Sequence, residues 1–222
     1  MKNTLEIDGV ILEFKNQKIL QDVYLECKTG KIAGLLGSNG TGKTCLMNII
    51  YGNIKLVNSS VRINGKTFLK SYRDPETIKY LPQFSFIPNN LKVNRIFEDF
   101  QLDFQLDFLD FVNLFPDLEK QYNSRFSNLS GGEIRIIEIY CILASKTKFC
   151  MLDEPFSQVL PLHVESIKQL IIRKKQNKGI LLSDHMYQHI INICDDVYII
   201  KDRKVHLTKD TSDIVKFGYI NS

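Results

Sequence analysis

A glycine-rich stretch, GSNGTGKT, has the residue types of a phosphate-binding loop. It fits the pattern G-x-x-x-x-G-K-[ST], in which glycines allow backbone N–H groups to wrap closely around phosphate oxygens. Lys43 would reach the β and γ phosphates of a nucleotide, and the hydroxyl of Thr44 would bind Mg²⁺. The predicted phosphate-binding residues are Gly37, Ser38, Asn39, Gly40, Thr41, Gly42, Lys43 and Thr44.

Two adjacent carboxylates follow an apolar run in FCMLDEPFS, residues 149–157. The run predicts a buried strand of a parallel sheet, and ligands collect beyond the carboxyl ends of such strands. Pro155 cannot donate to a ladder, which fits a strand that ends there. By itself the pair also fits a solvated loop. Beside a phosphate loop, it predicts that Asp153 is a Mg²⁺ ligand and that Glu154 accepts a proton from the attacking water.

The phosphate loop requires a strand before it and a helix after it. Residues 31–36 predict that strand, and KTCLMNIIYG predicts a helix that ends on Gly52, as a C-cap would. Residues 179–185, GILLSDH, predict another buried strand. Because helices and strands alternate in the second half of the chain, we expect an α/β sheet with helices on its faces.

Antiparallel strands are predicted near both ends of the chain. Before the phosphate loop, short apolar runs are interrupted at Asp8-Gly9, Asn16-Gln17 and Thr29-Gly30, a spacing typical of an antiparallel region. Near the C-terminus, DVYIIKDRKVHLT predicts a hairpin that turns at residues 201–204. The sheet of the α/β region should therefore be accompanied by antiparallel strands.

The middle of the chain, NRIFEDFQLDFQLDFLDFVNLF, is rich in phenylalanine at steps of three and four residues. This spacing predicts an amphipathic helical arm with its aspartates mostly away from the apolar stripe. The stripe either forms the core of a small helical subdomain, which is the favoured interpretation, or a groove for a partner. The phenylalanines are Phe97, Phe100, Phe104, Phe108, Phe111 and Phe115.

The composition is that of an ordinary globular protein, and 222 residues permit one sizeable core. The formal charge of +4 is mild, and the densest basic cluster, residues 173–175, suits a helix end better than a nucleic-acid surface. Five cysteines without a C-x-x-C pair suit a reducing compartment. No apolar run approaches the roughly 18 residues of a membrane helix, so we expect a cytoplasmic protein.

A third motif, LSGGE, lies between the phosphate loop and the acid pair, at residues 129–133. With these three motifs in this order, the chain resembles the nucleotide-binding subunit of an ATP-binding-cassette (ABC) transporter from about residue 5 to residue 207. The resemblance implies a single domain, 1–222, with the P-loop NTPase fold of an ABC cassette. Such a fold has a central, mostly parallel sheet, an N-terminal antiparallel β region and a small α-helical subdomain, here at about 84–140.

The resemblance also implies further site residues. Gln83 in YLPQ falls at the Q-loop and would join Mg²⁺ or the attacking water to the helical arm. His185 in SDH falls at the switch histidine and would bind the γ phosphate. Phe14 matches the aromatic residue on which adenine stacks, and Cys45 follows Thr44 in the nucleotide site. The residues that would contact ATP held by a second cassette are Ser130, Gly131 and Gly132.

As cofactors the resemblance implies ATP and Mg²⁺, and as partners a homodimer or a pair of cassettes with integral membrane subunits at the cytoplasmic face of the membrane. DEPFS, PLHVESIKQLI and SDHMYQHIINICDDVYII look most like the compact cassettes for lipopolysaccharide export and branched-chain amino-acid uptake. Two alternatives stay open. One is a soluble ABC-type ATPase that acts on nucleic acid or a ribosome, which the single motif set disfavours. The other is a regulatory cassette that binds ATP with little hydrolysis.

Three residues depart from the family pattern. Family members commonly have an aspartate at the position of Leu160, an arginine at the position of Cys141 and a second threonine at the position of Cys45. Leu160 should face the phosphate loop of the partner, where an aspartate could help to align the attack. We therefore expect ATP binding together with slow hydrolysis.

Overall fold

The structure, a computed structural model, describes residues 2–15, 17–55, 60–67 and 76–218. These residues form two β-sheets with helices packed around them. The strands are β1 (Thr4–Phe14), β2 (Gln17–Lys28), β3 (Ile32–Leu36), β4 (Ser60–Ile63), β5 (Lys66–Thr67), β6 (Ile78–Leu81), β7 (Phe149–Asp153), β8 (Gly179–Asp184), β9 (Asp196–Lys201) and β10 (Lys204–Leu207). The α-helices are α1 (Lys43–Tyr51), α2 (Val93–Asp99), α3 (Leu109–Leu114), α4 (Gly131–Ala144), α5 (Pro161–Lys174), α6 (Tyr187–Ile191) and α7 (Thr211–Lys216).

The larger sheet has the order β10-β9-β3-β8-β7-β6, and only its β9–β10 pair is antiparallel. The predicted strands β3, β7 and β8 and the predicted β9–β10 hairpin are confirmed. Every residue of β3, β7 and β8 is buried, which explains their continuous apolar sequences. Because these strands are parallel, Gly37, Asp153 and Asp184 lie at the same edge of the sheet.

The smaller sheet has the order β2-β1-β4-β5 and is antiparallel. The turn predicted at Asp8-Gly9 is wrong, because β1 continues through these residues. Gly9 has φ of 66°, and the pairing with β2 shifts register between Ile7 and Val10, as at a β-bulge. The turn at Thr29-Gly30 is confirmed, with Gly30 at φ of 87°. Asn16, in the remaining predicted turn, lies outside the described residues.

The helix predicted after the phosphate loop is confirmed as α1. Its C-cap, Gly52, adopts φ of 89° and donates its N–H to the carbonyls of Asn48 and Ile49. The basic residues 173–175 lie at the end of α5, as expected, where Arg173 pairs with Asp110.

The helical arm is not one continuous helix. α2 ends at Asp99, Gln101 has φ of 58°, and a π-helix, Phe104–Phe108, then leads into α3. Asp103 interrupts the predicted helix because its side chain accepts the N–H of Leu106 and caps the new segment. The described helices between β6 and β7 lie where the subdomain was predicted, at about 84–140, and the single-domain division stays a prediction.

The phenylalanine stripe is mostly core, as the favoured interpretation had it. Four of its rings are buried in the same apolar cluster as residues from one face of the large sheet: Phe97, Phe108, Phe111 and Phe115. Phe100 is partly buried against the same cluster, and Phe104 is 52% exposed. The stripe therefore attaches the helices to the sheet and leaves one ring at the surface.

Alanine substitutions at Phe111 and Phe104 test this difference in burial. We expect Phe111→Ala to lower the free energy of unfolding by about 3–5 kcal/mol, because it empties a packed site. Phe104→Ala should cost about 1 kcal/mol or less, since it removes a half-exposed ring. Urea unfolding measures both, and equal losses would contradict the burial that separates the two rings.

Candidate functional site

The phosphate loop joins β3 to α1 and closes around its own lysine. Gly40 and Gly42 have φ of 80° and 101°, values that favour glycine. Lys43 Nζ donates to the carbonyl oxygens of Gly37, at 2.7 Å, and Ser38, at 3.3 Å. The ammonium group is therefore held inside the curve of the loop.

The carboxylate of Glu154 is the point at which three predicted site residues meet. Gln83 Nε2 donates to its Oε2 at 3.1 Å. Lys43 Nζ lies 3.7 Å from Oε1, and His185 Nδ1 lies 3.4 Å from the same oxygen. Glu154 is buried and its backbone has φ of 46°. Residues from the phosphate loop, the segment after β6 and the end of β8 are thus brought together.

Opposite charges share this buried site. Burial lowers the pKa of the Lys43 ammonium below its ordinary value, and the carboxylates of Glu154, Asp153 and Asp184 oppose that shift. Lys43 and Glu154 are both largely removed from solvent, where an unpaired charge would be costly. The pair therefore keeps a cation and an acceptor carboxylate next to each other.

Asp153 directly precedes Glu154 in the chain, and both oxygens of the Asp153 carboxylate accept hydrogen bonds. Tyr80 Oη donates to Oδ2 at 3.1 Å, and the hydroxyl of Ser183 donates to Oδ1. Burial raises the pKa of Tyr80, with the Asp153 carboxylate adding to the shift, so the phenol keeps its proton. Sequence reasoning missed both partners, although Tyr80 lies within YLPQ and Ser183 within SDH.

A cavity of about 350 Å³ opens beside the phosphate loop. It brings together many of the predicted nucleotide-binding residues, including Phe14, whose ring is exposed at this surface. Its lining residues are Phe14, Ile19, Asn39, Gly40, Gly42, Lys43, Thr44, Cys45, Gln83 and Glu154. The arrangement can enclose a ligand with an aromatic base at one end and phosphates at the other.

The LSGGE motif lies at the start of α4 and does not line that cavity. Ser130 is the N-cap, and its side chain and that of Glu133 form a capping box. A Cβ on Gly132 would lie 2.9 Å from the backbone oxygen of Gln158, so a side chain there would displace the loop that follows the acid pair. The structure therefore places Ser130, Gly131 and Gly132 on a surface beside that loop.

Two of the residues that depart from the family pattern have contrasting surroundings. Leu160 is the N-cap of α5, is 58% exposed and makes no side-chain capping bond. Cys141 is buried in α4 within the main apolar cluster. Leu160 is thus free to meet another molecule, whereas Cys141 contributes to packing.

Residues 20–157 match the family model described as ABC transporter. The chain belongs to the ABC transporter family. The lipopolysaccharide export system ATP-binding protein LptB of Haemophilus influenzae is 30% identical over 215 residues, covering 92% of this chain and 89% of that protein. BraG of Pseudomonas aeruginosa, a high-affinity branched-chain amino acid transport ATP-binding protein, is 27% identical over 90% of both chains. The predicted resemblance is confirmed.

Solved structures of ABC proteins share the fold. An ATP-binding subunit of an ABC transporter superposes with a TM-score of 0.82 at 22% identity, over 98% of this chain and 95% of that chain. A bacterial Atm1-family ABC exporter with ATP bound gives 0.84 at 14% identity, over 99% of this chain and 41% of that chain. The predicted ABC-cassette fold is confirmed.

As a member of the ABC transporter family, the chain binds and hydrolyses ATP to energise transport, and pairs with membrane subunits. Within the residues that the structure describes, none of the helices is both long and apolar enough to pass through a bilayer.

Leu160→Asp tests the uncapped start of α5. An aspartate N-cap accepts N–H groups of the first turn, so we expect the free energy of unfolding to rise by about 1 kcal/mol. Urea unfolding measures this, with Leu162→Asp, on the exposed first turn of the same helix, as the control.

Phosphate release by the native chain tests the expected slow hydrolysis, and phosphate release by Leu160→Asp should be faster. A less stable or slower Leu160→Asp protein would contradict these expectations.

Proposed function

We propose that Glu154 is the catalytic base for ATP hydrolysis and that the cavity beside the phosphate loop holds the nucleotide. The observation that carries this is the meeting of Lys43, Gln83 and His185 at the Glu154 carboxylate. In this arrangement Phe14 stacks on adenine and Cys45 lies beside the phosphates. A carboxylate in hydrogen-bond reach of a water can accept its proton as the water attacks the γ phosphate.

Lys43 and His185 act on the phosphates in this proposal. The Lys43 ammonium has two carbonyl partners in the loop, and phosphate oxygens offer it stronger, charge-assisted bonds. His185 lies 3.4 Å from Glu154 and is partly exposed, so it can reach a γ phosphate next to the base. Gln83 orients the water through the carboxylate that it already contacts.

The oxygen donors near the phosphate loop fit Mg²⁺. Thr44 supplies a hydroxyl, Gln83 an amide oxygen and Asp153 a carboxylate, which are the ligand types that Mg²⁺ prefers. The hydroxyls of Tyr80 and Ser183 orient the Asp153 carboxylate, as outer partners of metal ligands do. When bound, Mg²⁺ would neutralise charge on the phosphates.

Two cassettes complete two sites in this proposal. Ser130, Gly131 and Gly132 begin a 14-residue helix, and the N-terminus of such a helix attracts phosphate. They lie outside the cavity of their own chain, which supports contact with the ATP of a second cassette. With two copies of this chain, a two-fold axis would repeat the same contact at both sites.

Glu154→Gln tests the role of the base. The amide keeps the shape and loses the proton acceptor, so ATP-bound dimers should accumulate while phosphate release falls at least about a hundredfold. Light scattering after gel filtration with ATP and Mg²⁺ measures the dimer. Glu165→Gln makes the same change on the exposed face of α5 and should behave as the native chain. Full hydrolysis by Glu154→Gln would remove Glu154 from the mechanism.

We also propose that the membrane subunit docks beside Gln83, at the cytoplasmic face of the membrane. A groove of about 340 Å³ lies between the large sheet and the helical segment, and Tyr80, Phe86 and Phe100 are among its lining residues. Phe84, next to Gln83, is 75% exposed. This aromatic surface lies next to Gln83, which contacts the proposed base, Glu154. It therefore suits a membrane partner that must respond to ATP hydrolysis.

Photo-crosslinking from residue 84 tests this surface. A photoreactive amino acid at position 84 should form an adduct with a multi-span membrane protein, identified by mass spectrometry. The control is the same amino acid at Leu207, an exposed position in β10 at the opposite edge of the large sheet. If both positions crosslink to a multi-span membrane protein, or if neither does, the docking surface lies elsewhere.

A further inference from the structure

α4 carries two buried charged residues that none of the proposed steps uses. Arg135 is 4% exposed and Glu138 is fully buried, and they lie 3.8 Å apart, Nη1 to Oε2. Buried ion pairs add little net stability, because desolvation offsets their attraction. Arg135 Nε and Glu138 Oε2 also have no hydrogen-bond partner among the described residues. Stability alone is therefore a weak explanation for this pair.

Glu138 holds the segment that follows Gln83. Its Oε1 accepts hydrogen bonds from Ser85 Oγ at 2.7 Å, Phe86 N at 3.0 Å and Ile87 N at 3.4 Å. Three donors on one carboxylate oxygen fix the path of the chain from Gln83 into the helical segment.

Arg135 contacts the backbones of the acid pair and of Pro82, the residue before Gln83. Its Nη1 donates to the carbonyl of Pro82 at 2.7 Å, and its Nη2 donates to the carbonyls of Asp153 at 2.6 Å and Glu154 at 3.2 Å. The planar guanidinium can span the two strand ends because its donors have a fixed geometry. The chain is thus held before Gln83 by Arg135, at Pro82, and after it by Glu138, at residues 85–87.

We infer that Arg135 and Glu138 are positioning residues for hydrolysis, which set the place of Gln83 relative to the Glu154 carboxylate. This inference rests on the roles proposed above for Gln83 and Glu154. Loss of the pair should lower kcat while leaving ATP affinity nearly unchanged, because neither side chain lines the nucleotide cavity. A displacement of about 1 Å at a reacting group can cost on the order of a hundredfold in rate.

The test compares Arg135→Met with Lys178→Met in the full chain. Lys178 is also buried, and its Nζ donates to the carbonyls of Leu143 and Ser145, at the other end of the same helix. Both variants remove one buried cation; Arg135→Met leaves three carbonyls without that donor, and Lys178→Met leaves two. We measure phosphate release at saturating ATP and Mg²⁺, equilibrium binding of a fluorescent ATP analogue, and urea unfolding.

We expect kcat per folded molecule to fall at least about tenfold in Arg135→Met and to stay within about twofold of native in Lys178→Met. The affinity for the ATP analogue should stay within about twofold in both. A native kcat in Arg135→Met, or an equal fall in Lys178→Met, would overturn the inference. If Arg135→Met does not fold, Arg135→Lys takes its place, because one ammonium cannot span Pro82 and the acid pair as the guanidinium does.

Two further comparisons separate the positioning role from the proposed roles. Glu138→Gln keeps an acceptor oxygen and should retain more kcat than Glu138→Ala. Arg135→Met should lower kcat much less in a Gln83→Ala background than in the native chain, because the effect passes through Gln83. Fully additive losses would overturn the inference. A native kcat in Gln83→Ala alone would instead contradict the role proposed for Gln83.

Discussion

The negative charge of Glu154 must be compensated in a place that excludes most water. A buried carboxylate is costly unless donors and an opposite charge surround it. Gln83 donates a hydrogen bond, Lys43 supplies the opposite charge, and His185 Nδ1 lies 3.4 Å away, so three separate segments of the chain meet here. The Glu154 carboxylate therefore contacts all three segments and lies at the centre of the site.

The backbone of Glu154 is held as firmly as its side chain. A φ of 46° costs a residue other than glycine about 1–3 kcal/mol unless its surroundings impose it. Here the N–H of Glu154 donates to the Ser183 carbonyl at 3.0 Å, and its own carbonyl accepts from Ser157 Oγ and Arg135. β8, α4 and the following loop thus share the constraint, and the carboxylate points back towards the phosphate loop.

The sequence predicted what depends on local patterns and missed what depends on tertiary contacts. The buried strands and α1 follow from apolar runs and a C-cap glycine. The arm was predicted as one helix because periodicity does not show that the Asp103 side chain caps a new segment. The motifs located Glu154 and its three neighbours. Tyr80, Arg135 and Glu138 could not be assigned, because their partners lie dozens of residues away in sequence.

α4 connects the two halves of the proposed dimer over a short distance. Its N-cap, Ser130, would meet the partner's ATP, and Arg135 lies five residues further on, about 7.5 Å along the axis. A helix is stiff over one and a half turns, so a shift at Ser130 would move the guanidinium that holds the acid pair. Gly132 packs against Gln158, so the loop leading to Leu160 would move with it. ATP bound between two cassettes would then affect the position of Glu154 through α4 as well as through its own γ phosphate.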